Sequence, residues 1–124
     1  MPVRTTIAEP IPESSTAYIS LTLTDTDGVT ALANADSVLI SLTVSLFDER
    51  SGAALTRTAQ SILATNGGTV TSAGVVTLRL DPADTAVAGK SSAWRVALFT
   101  WTWGSPLKTG RHEVCFLVTN LATV

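Results

Sequence analysis

Two long runs of β-branched and aromatic residues near the end of the chain set what it can fold into. Trp94-Arg95-Val96-Ala97-Leu98-Phe99-Thr100-Trp101-Thr102-Trp103 leads into a Gly104…Gly110 loop that carries Ser105 and Pro106. Arg111-His112-Glu113-Val114-Cys115-Phe116-Leu117-Val118-Thr119 then follows. Such residues suit a pleated strand, and the Gly/Ser/Pro break between the runs makes them a hairpin. All three Trp and two of the three Phe lie here, so most of the bulky core volume does too. With Gly104 opposite Gly110, side-chain alternation sorts the hairpin into two faces. Trp94, Val96, Leu98, Val114, Phe116 and Val118 make an almost purely apolar face, which reads as core. Phe99, Trp101, Trp103, Cys115 and Leu117 share the other face with Arg95, Arg111 and Glu113. Trp103 then stands across from Arg111, a cation–π arrangement, and Trp101 across from Glu113. Sliding the register by two residues keeps this division, whereas sliding it by one mixes the faces. Two readings of the second face stay open. Another loop or the N-terminal arm covers it, or it meets another protein, because a large exposed aromatic patch is unusual on a monomer.

Upstream, residues 1–16 hold Pro2, Pro10 and Pro12 with Glu9 and Glu13. Proline removes backbone donors and disfavours regular pairing, so this stretch reads as an extended arm with a short strand at 3–7. It is either a frayed terminus or an arm that orders on a neighbouring subunit. Residues 17–24 alternate cleanly, with Ile19, Leu21 and Leu23 on one side, as a half-buried strand does. Asp25-Thr26-Asp27-Gly28 is a turn. It begins like a calcium loop but has Thr30 where an EF-hand needs glycine. Residues 31–37 connect to a second long strand at 38–47, with Val38, Ile40, Leu42, Val44 and Leu46 inward. A loop at 48–52 precedes a shorter strand at 53–58, and 59–64 suits either a helical turn or an edge strand. After the Asn66-Gly67-Gly68 break come a short strand at 69–71 and a clean one at 75–80, with Val76, Leu78 and Leu80 inward. Asp81 suits a helix N-cap and Pro82 the first helical position, so one helical turn is expected there. A small-residue loop at 86–92 leads into Trp94. About seven strands, turn signals every 8–12 residues or so and no long helical pattern predict an all-β, Ig-like antiparallel β-sandwich. The domain spans 17–124 and the extended N-terminal arm 1–16.

Chemistry is scarce. The chain has 124 residues, one Cys and one His, and only 15% of it is charged, with a net charge of −2. An ordinary domain is roughly 25% charged, and a chain this poor in charge favours life inside an assembly. The eight basic residues are scattered, which argues against a nucleic-acid groove. No apolar run approaches the ~18 residues of a membrane span, and the N-terminus shows no signal core. One Cys makes no internal disulfide, so the expected setting is the cytoplasm or something assembled there. His112 and Cys115 are three apart on one strand and so face opposite ways, and Cys115 reads as a small buried hydrophobe. No nucleophile elbow, phosphate loop, dinucleotide fingerprint or closed zinc set occurs. No catalytic residue, metal or cofactor is expected. Trp101 and Trp103 could also serve a carbohydrate-binding site, although such sites add polar groups in a concave setting.

Several strings of strand and turn residues stand out: Ser45-Leu46-Phe47-Asp48-Glu49-Arg50-Ser51-Gly52, Asn66-Gly67-Gly68-Thr69-Val70 with Gly74-Val75-Val76-Thr77-Leu78, and Leu80-Asp81-Pro82-Ala83-Asp84. The most distinctive are Ala97-Leu98-Phe99-Thr100-Trp101-Thr102-Trp103 and Lys108-Thr109-Gly110-Arg111-His112-Glu113-Val114. These patterns, which are not an active-site signature, resemble the small Ig-like structural proteins of tailed bacteriophages, found among head and head–tail proteins. The resemblance implies a non-enzymatic virion component assembled in the host cytoplasm. Its role would be that of a capsid decoration or cement protein, or of a neck or tail protein. Its partners would be the major capsid protein or other virion proteins, including further copies of itself, with no nucleic acid and no membrane. The residues expected to meet them are Phe99, Trp101, Trp103, Arg111 and Glu113, with Pro10 and Pro12 of the arm. On this division of faces Phe116→Ala damages the core, whereas Trp103→Ala spares the fold.

Overall fold

A computed structural model describes residues 4–87 and 92–119. Pro2 and Val3 of the arm and the middle of the expected 86–92 loop lie outside the described residues. The strands are β1 (Arg4–Thr6), β2 (Ile11–Pro12), β3 (Ala17–Thr22), β4 (Leu39–Asp48), β5 (Gln60–Ser61), β6 (Gly68–Val70), β7 (Val75–Leu80), β8 (Ala93–Trp103) and β9 (Lys108–Thr119). One sheet runs β1-β9-β8-β4-β5, with β2 also on β9, and the other runs β3-β7-β6. Side chains from both sheets meet in one core, so the fold is an all-β sandwich. The division into β3-β7-β6 and β4-β8-β9 is compatible with an immunoglobulin-like order. Among the described residues helix is confined to α1 (Ala35–Val38) and a 3-10 turn at Pro82–Thr85, the latter where Asp81 and Pro82 predict it.

Alternation locates most of the core. Leu42, Val44 and Leu46 of β4, Val76, Leu78 and Leu80 of β7, and Ile19 and Leu23 are buried as expected. Val38 and Ile40 are not: Val38 ends α1 and lies before the strand, and the β4–β8 register shifts between Leu39 and Ser41 and turns Ile40 outward. The expected strand at 53–58 reduces to a single Phe47–Ala54 bridge, and the edge strand forms later, at Gln60–Ser61. The arm is stitched to its own domain. β1 and β2 pair with β9 in parallel, and Ile11 enters the core between them and the opposite sheet.

The hairpin register departs from expectation. Trp101 lies opposite Gly110 and Trp103 opposite Lys108, three residues away from a Gly104–Gly110 pairing. An odd slip exchanges the faces of one strand. Phe99, Trp101 and Trp103 therefore point inward with Val114, Phe116 and Val118, while Trp94 and Leu98 turn outward. The cause is local. The turn is only Gly104–Leu107 long, with Gly104 at φ 83°, and Gly110 belongs to the strand. A Cβ on Gly110 would lie 2.3 Å from the Trp101 ring, so this glycine leaves room for the indole directly across from it. Phe116→Ala and Trp103→Ala should therefore lose similar stability, about 3–5 kcal/mol each. Urea denaturation checks this, and a Trp103→Ala variant as stable as the parent would contradict the register.

Candidate functional site

The residues expected to meet a partner do not form one surface. Phe99, Trp101 and Trp103 are 0%, 2% and 6% exposed, so the aromatic platform is corrected to core. The strand end and turn after β3 cover them, and the Trp101 Nε1–H donates to the Thr24 carbonyl at 3.3 Å. The expected Trp103–Arg111 and Trp101–Glu113 pairs are absent from the observed register. Arg111, Glu113, Pro10 and Pro12 do lie at or near the surface. Glu113 is held by Arg4 of β1, its Oε1 3.0 Å from Nη2. Pro12 pairs with Thr119, whereas Arg111 sits eight residues back along β9, about 27 Å away at strand rise.

The slip in register builds a different surface on the outer face of the larger sheet. Cross-strand rows there run Trp94–Leu117, Phe47–Val96–Cys115 and Ser45–Leu98–Glu113. Trp94 is 42% exposed, Phe47, Leu98 and Leu117 are half-buried, and Val96 and Cys115 are covered. Arg4 reaches across this face from β1, pairing with Glu113 on β9 and with Glu49 at the end of β4, at 3.4 Å. An apolar strip edged by paired charge is thus presented on a rigid sheet, with Trp94 as its largest side chain. Sequence reasoning missed it because a wrong register put Trp94 inside.

Groups able to do chemistry are occupied otherwise. Cys115 is buried, and that burial pushes its thiol above the usual value, which disfavours the nucleophilic thiolate. Thr5 Oγ1 and His112 Nε2 lie 2.8 Å apart, a nucleophile–base distance. Among the described residues no carboxylate hydrogen-bonds the other imidazole nitrogen, so the pair lacks an orienting acid and reads as a tie between arm and β9. Asp27 spends its carboxylate on Val29 N–H, Thr30 N–H and the Thr30 hydroxyl, which makes the acidic loop a self-bonded turn. Among the described residues no group of three or more His, Cys, Asp or Glu could hold a metal ion. A cavity of about 310 Å³ is lined by Thr22, Asp25, Trp101, Trp103, Arg111 and His112, but the two indoles are almost wholly buried and present little ring surface to it.

One buried polar cluster escaped sequence reasoning. Arg57 and Asp84 are both almost fully buried and pair at 3.0 Å. Arg57 also donates to Gln60 Oε1 and Asn66 O at 2.8 Å and to Arg79 O at 3.0 Å. Asp84 further accepts from the Thr56 hydroxyl and the Asp81 N–H. Burial alone would raise the Asp84 carboxyl, but bonds from Arg57, Thr56 and Asp81 together hold it below the usual carboxylate range. Arg95, also buried, donates to the carbonyls of Asp84 and Ala86. A single arginine among small residues gives no pattern by which to foresee this. The cluster ties the segment after β4 to the end of β7 and to the 3-10 turn.

Comparison with protein-family models, curated proteins and solved structures returns no match to this chain.

Breaking the buried pair from one side, as in Arg57→Met, should cost about 3–5 kcal/mol, while Arg57→Met with Asp84→Leu should cost clearly less. A double variant as damaged as the single one would show that the pair's worth is not the uncompensated charge. His112 is held below its ordinary 6.5 by burial, partly offset by Glu113. The unfolded chain therefore binds more protons below about pH 6.5, and stability falls with pH until the folded imidazole also protonates. His112→Gln should flatten this slope in urea midpoints measured between pH 7.5 and 5.5 or so. An unchanged slope would place its origin elsewhere.

Proposed function

We propose that this chain is a non-enzymatic structural protein of a tailed-phage particle. Its role is that of a capsid decoration or cement protein bound to the major capsid protein or to neighbouring virion subunits. Two things support the reading. The strand and turn strings resemble small Ig-like head proteins, and the low charge suits a subunit that works against neighbours. The observation that carries the docking surface is the outer strip around Trp94, a large aromatic held half-exposed on a sheet rather than on a mobile loop. A position in the neck or tail uses the same surface against a different neighbour. A carbohydrate-binding role is less well supported, because stacking needs an exposed ring face and those of Trp101 and Trp103 are packed inside.

The test is to incubate purified protein with particles lacking it. Binding to the particle is expected, and Trp94→Ser should weaken it about tenfold or more while leaving the melting temperature nearly unchanged. Failure of the parent protein to bind, together with its absence from purified virions, would remove the virion reading. Binding unaffected by Trp94→Ser would move the docking surface off this face.

A further inference from the structure

The arm takes its place on β9, and that choice leaves β3, one of the two edges of the smaller sheet, without a covering strand. The direction of its backbone groups can be read from the bonds of β7. Arg79 N–H donates to Gly67 O, and Val75 O accepts from Thr71 N–H, so odd-numbered residues of β7 bond toward β6. Its even-numbered residues then bond toward β3, and Val76, Leu78 and Leu80 are paired with Leu21, Ile19 and Ala17. Tyr18, Ser20 and Thr22 therefore turn three N–H and three C=O groups to the open edge, and none of these has a hydrogen-bond partner among the described residues.

Proteins usually blunt such an edge with charge, proline, a bulge or a covering segment. β3 reads Ala17-Tyr18-Ile19-Ser20-Leu21-Thr22, with no charged residue and no proline, and its ladder with β7 is unbroken. Tyr18 stands 67% exposed on its outer side, and Leu21 is only half-buried on its inner side.

The geometry points to a second copy of this chain as the occupant, paired antiparallel β3 to β3 about a two-fold axis. The strand is complementary to itself in one register. With Ser20 opposite Ser20, Tyr18 falls opposite Thr22 and every outward N–H meets an outward C=O, giving six inter-chain hydrogen bonds from the groups that otherwise have none. The same register sets Leu21 across from Ile19 of the other copy, which covers the part-exposed leucine on the inner side. On the outer side it lays Tyr18 beside Thr22. No like charges meet, because the strand has none. The product is a continuous sheet, β6-β7-β3-β3-β7-β6, closed by the two-fold axis and therefore limited to two chains. This association does not depend on the virion reading, since it uses the opposite sheet from Trp94.

Sedimentation velocity of the full chain over a wide concentration range tests it, with Ser20→Lys and Ser20→Pro alongside. The parent should sediment as a concentration-dependent dimer. Each variant should raise the dimer dissociation constant about tenfold or more. Their far-UV circular dichroism should be unchanged, because the Ser20 N–H has no hydrogen-bond partner among the described residues. Should the proline variant fail to fold, the lysine variant and hydrogen exchange decide. The amides of Tyr18, Ser20 and Thr22 should exchange more slowly as the parent's concentration rises. A parent chain that stays monomeric, variants that associate as well as the parent, or concentration-independent exchange at these three amides would each overturn the proposal.

Discussion

The Trp101 indole fills the space that any side chain on Gly110 would need, and the rest of the sandwich follows from that fit. Gly110 is the place where β9 can pass directly opposite the largest inward side chain of β8. Once that pair is set, alternation does the remainder. Phe99 and Trp103 must follow Trp101 inward, Val114, Phe116 and Val118 must meet them, and Trp94 must face out. A slip of one residue would either bury Arg111 or expose two tryptophans, depending on which strand turned over. The penalty for either is far above the few kcal/mol by which a domain of this size is stable, so the register is strongly specified.

A second constraint acts where the loops gather at the other end of β8. Arg57 comes from an irregular stretch that has no ladder of its own, and its guanidinium bonds Asn66 O and Arg79 O as well as Asp84. It thereby ties the segment after β4 to the end of β7 and to the 3-10 turn. Arg95 then fastens the start of β8 to the same turn through two carbonyls. Buried charge of this kind is weak evidence for net stability, because desolvation offsets most of the attraction. Its contribution is positional. Carbonyls that no strand satisfies are capped by the two arginines, so the irregular backbone can be buried without orphaned acceptors.

How far this was legible from sequence depended on the range of the interaction. Period-two alternation located Ile19, Leu42, Val44, Leu46, Val76, Leu78 and Leu80 in the core, because each reads only its own strand. Asp81-Pro82 marked the 3-10 turn because a cap and a proline are local signals. The hairpin failed at the one point where two strands had to be aligned. Gly104 and Gly110 look alike as turn residues, yet one supplies a positive φ and the other an absent Cβ. That single ambiguity moved all three candidate aromatics from core to surface and hid Trp94. The Arg57–Asp84 pair spans 27 residues and depends on loop geometry, so no periodicity could announce it. The prolines announce an extended arm, but its partner, β9 of its own domain, is the farthest strand in sequence.

The arm's choice of partner also settles which surfaces are left for others. A segment of the N-terminal arm that pairs with one sheet is not available to the edge of the other. Here β1 and β2 take the side of β9, where Ile11 fills the core and Thr5 meets His112. The larger sheet gains a protected edge, and Arg4 is brought over its outer face to pair with Glu49 and Glu113. The smaller sheet, only three strands wide, keeps β3 open. Three strands are close to the least that holds together in water, so added strand pairing yields the most there. Covering the β9 edge with the chain's own arm and leaving β3 bare is therefore a division between what folds the monomer and what remains for association.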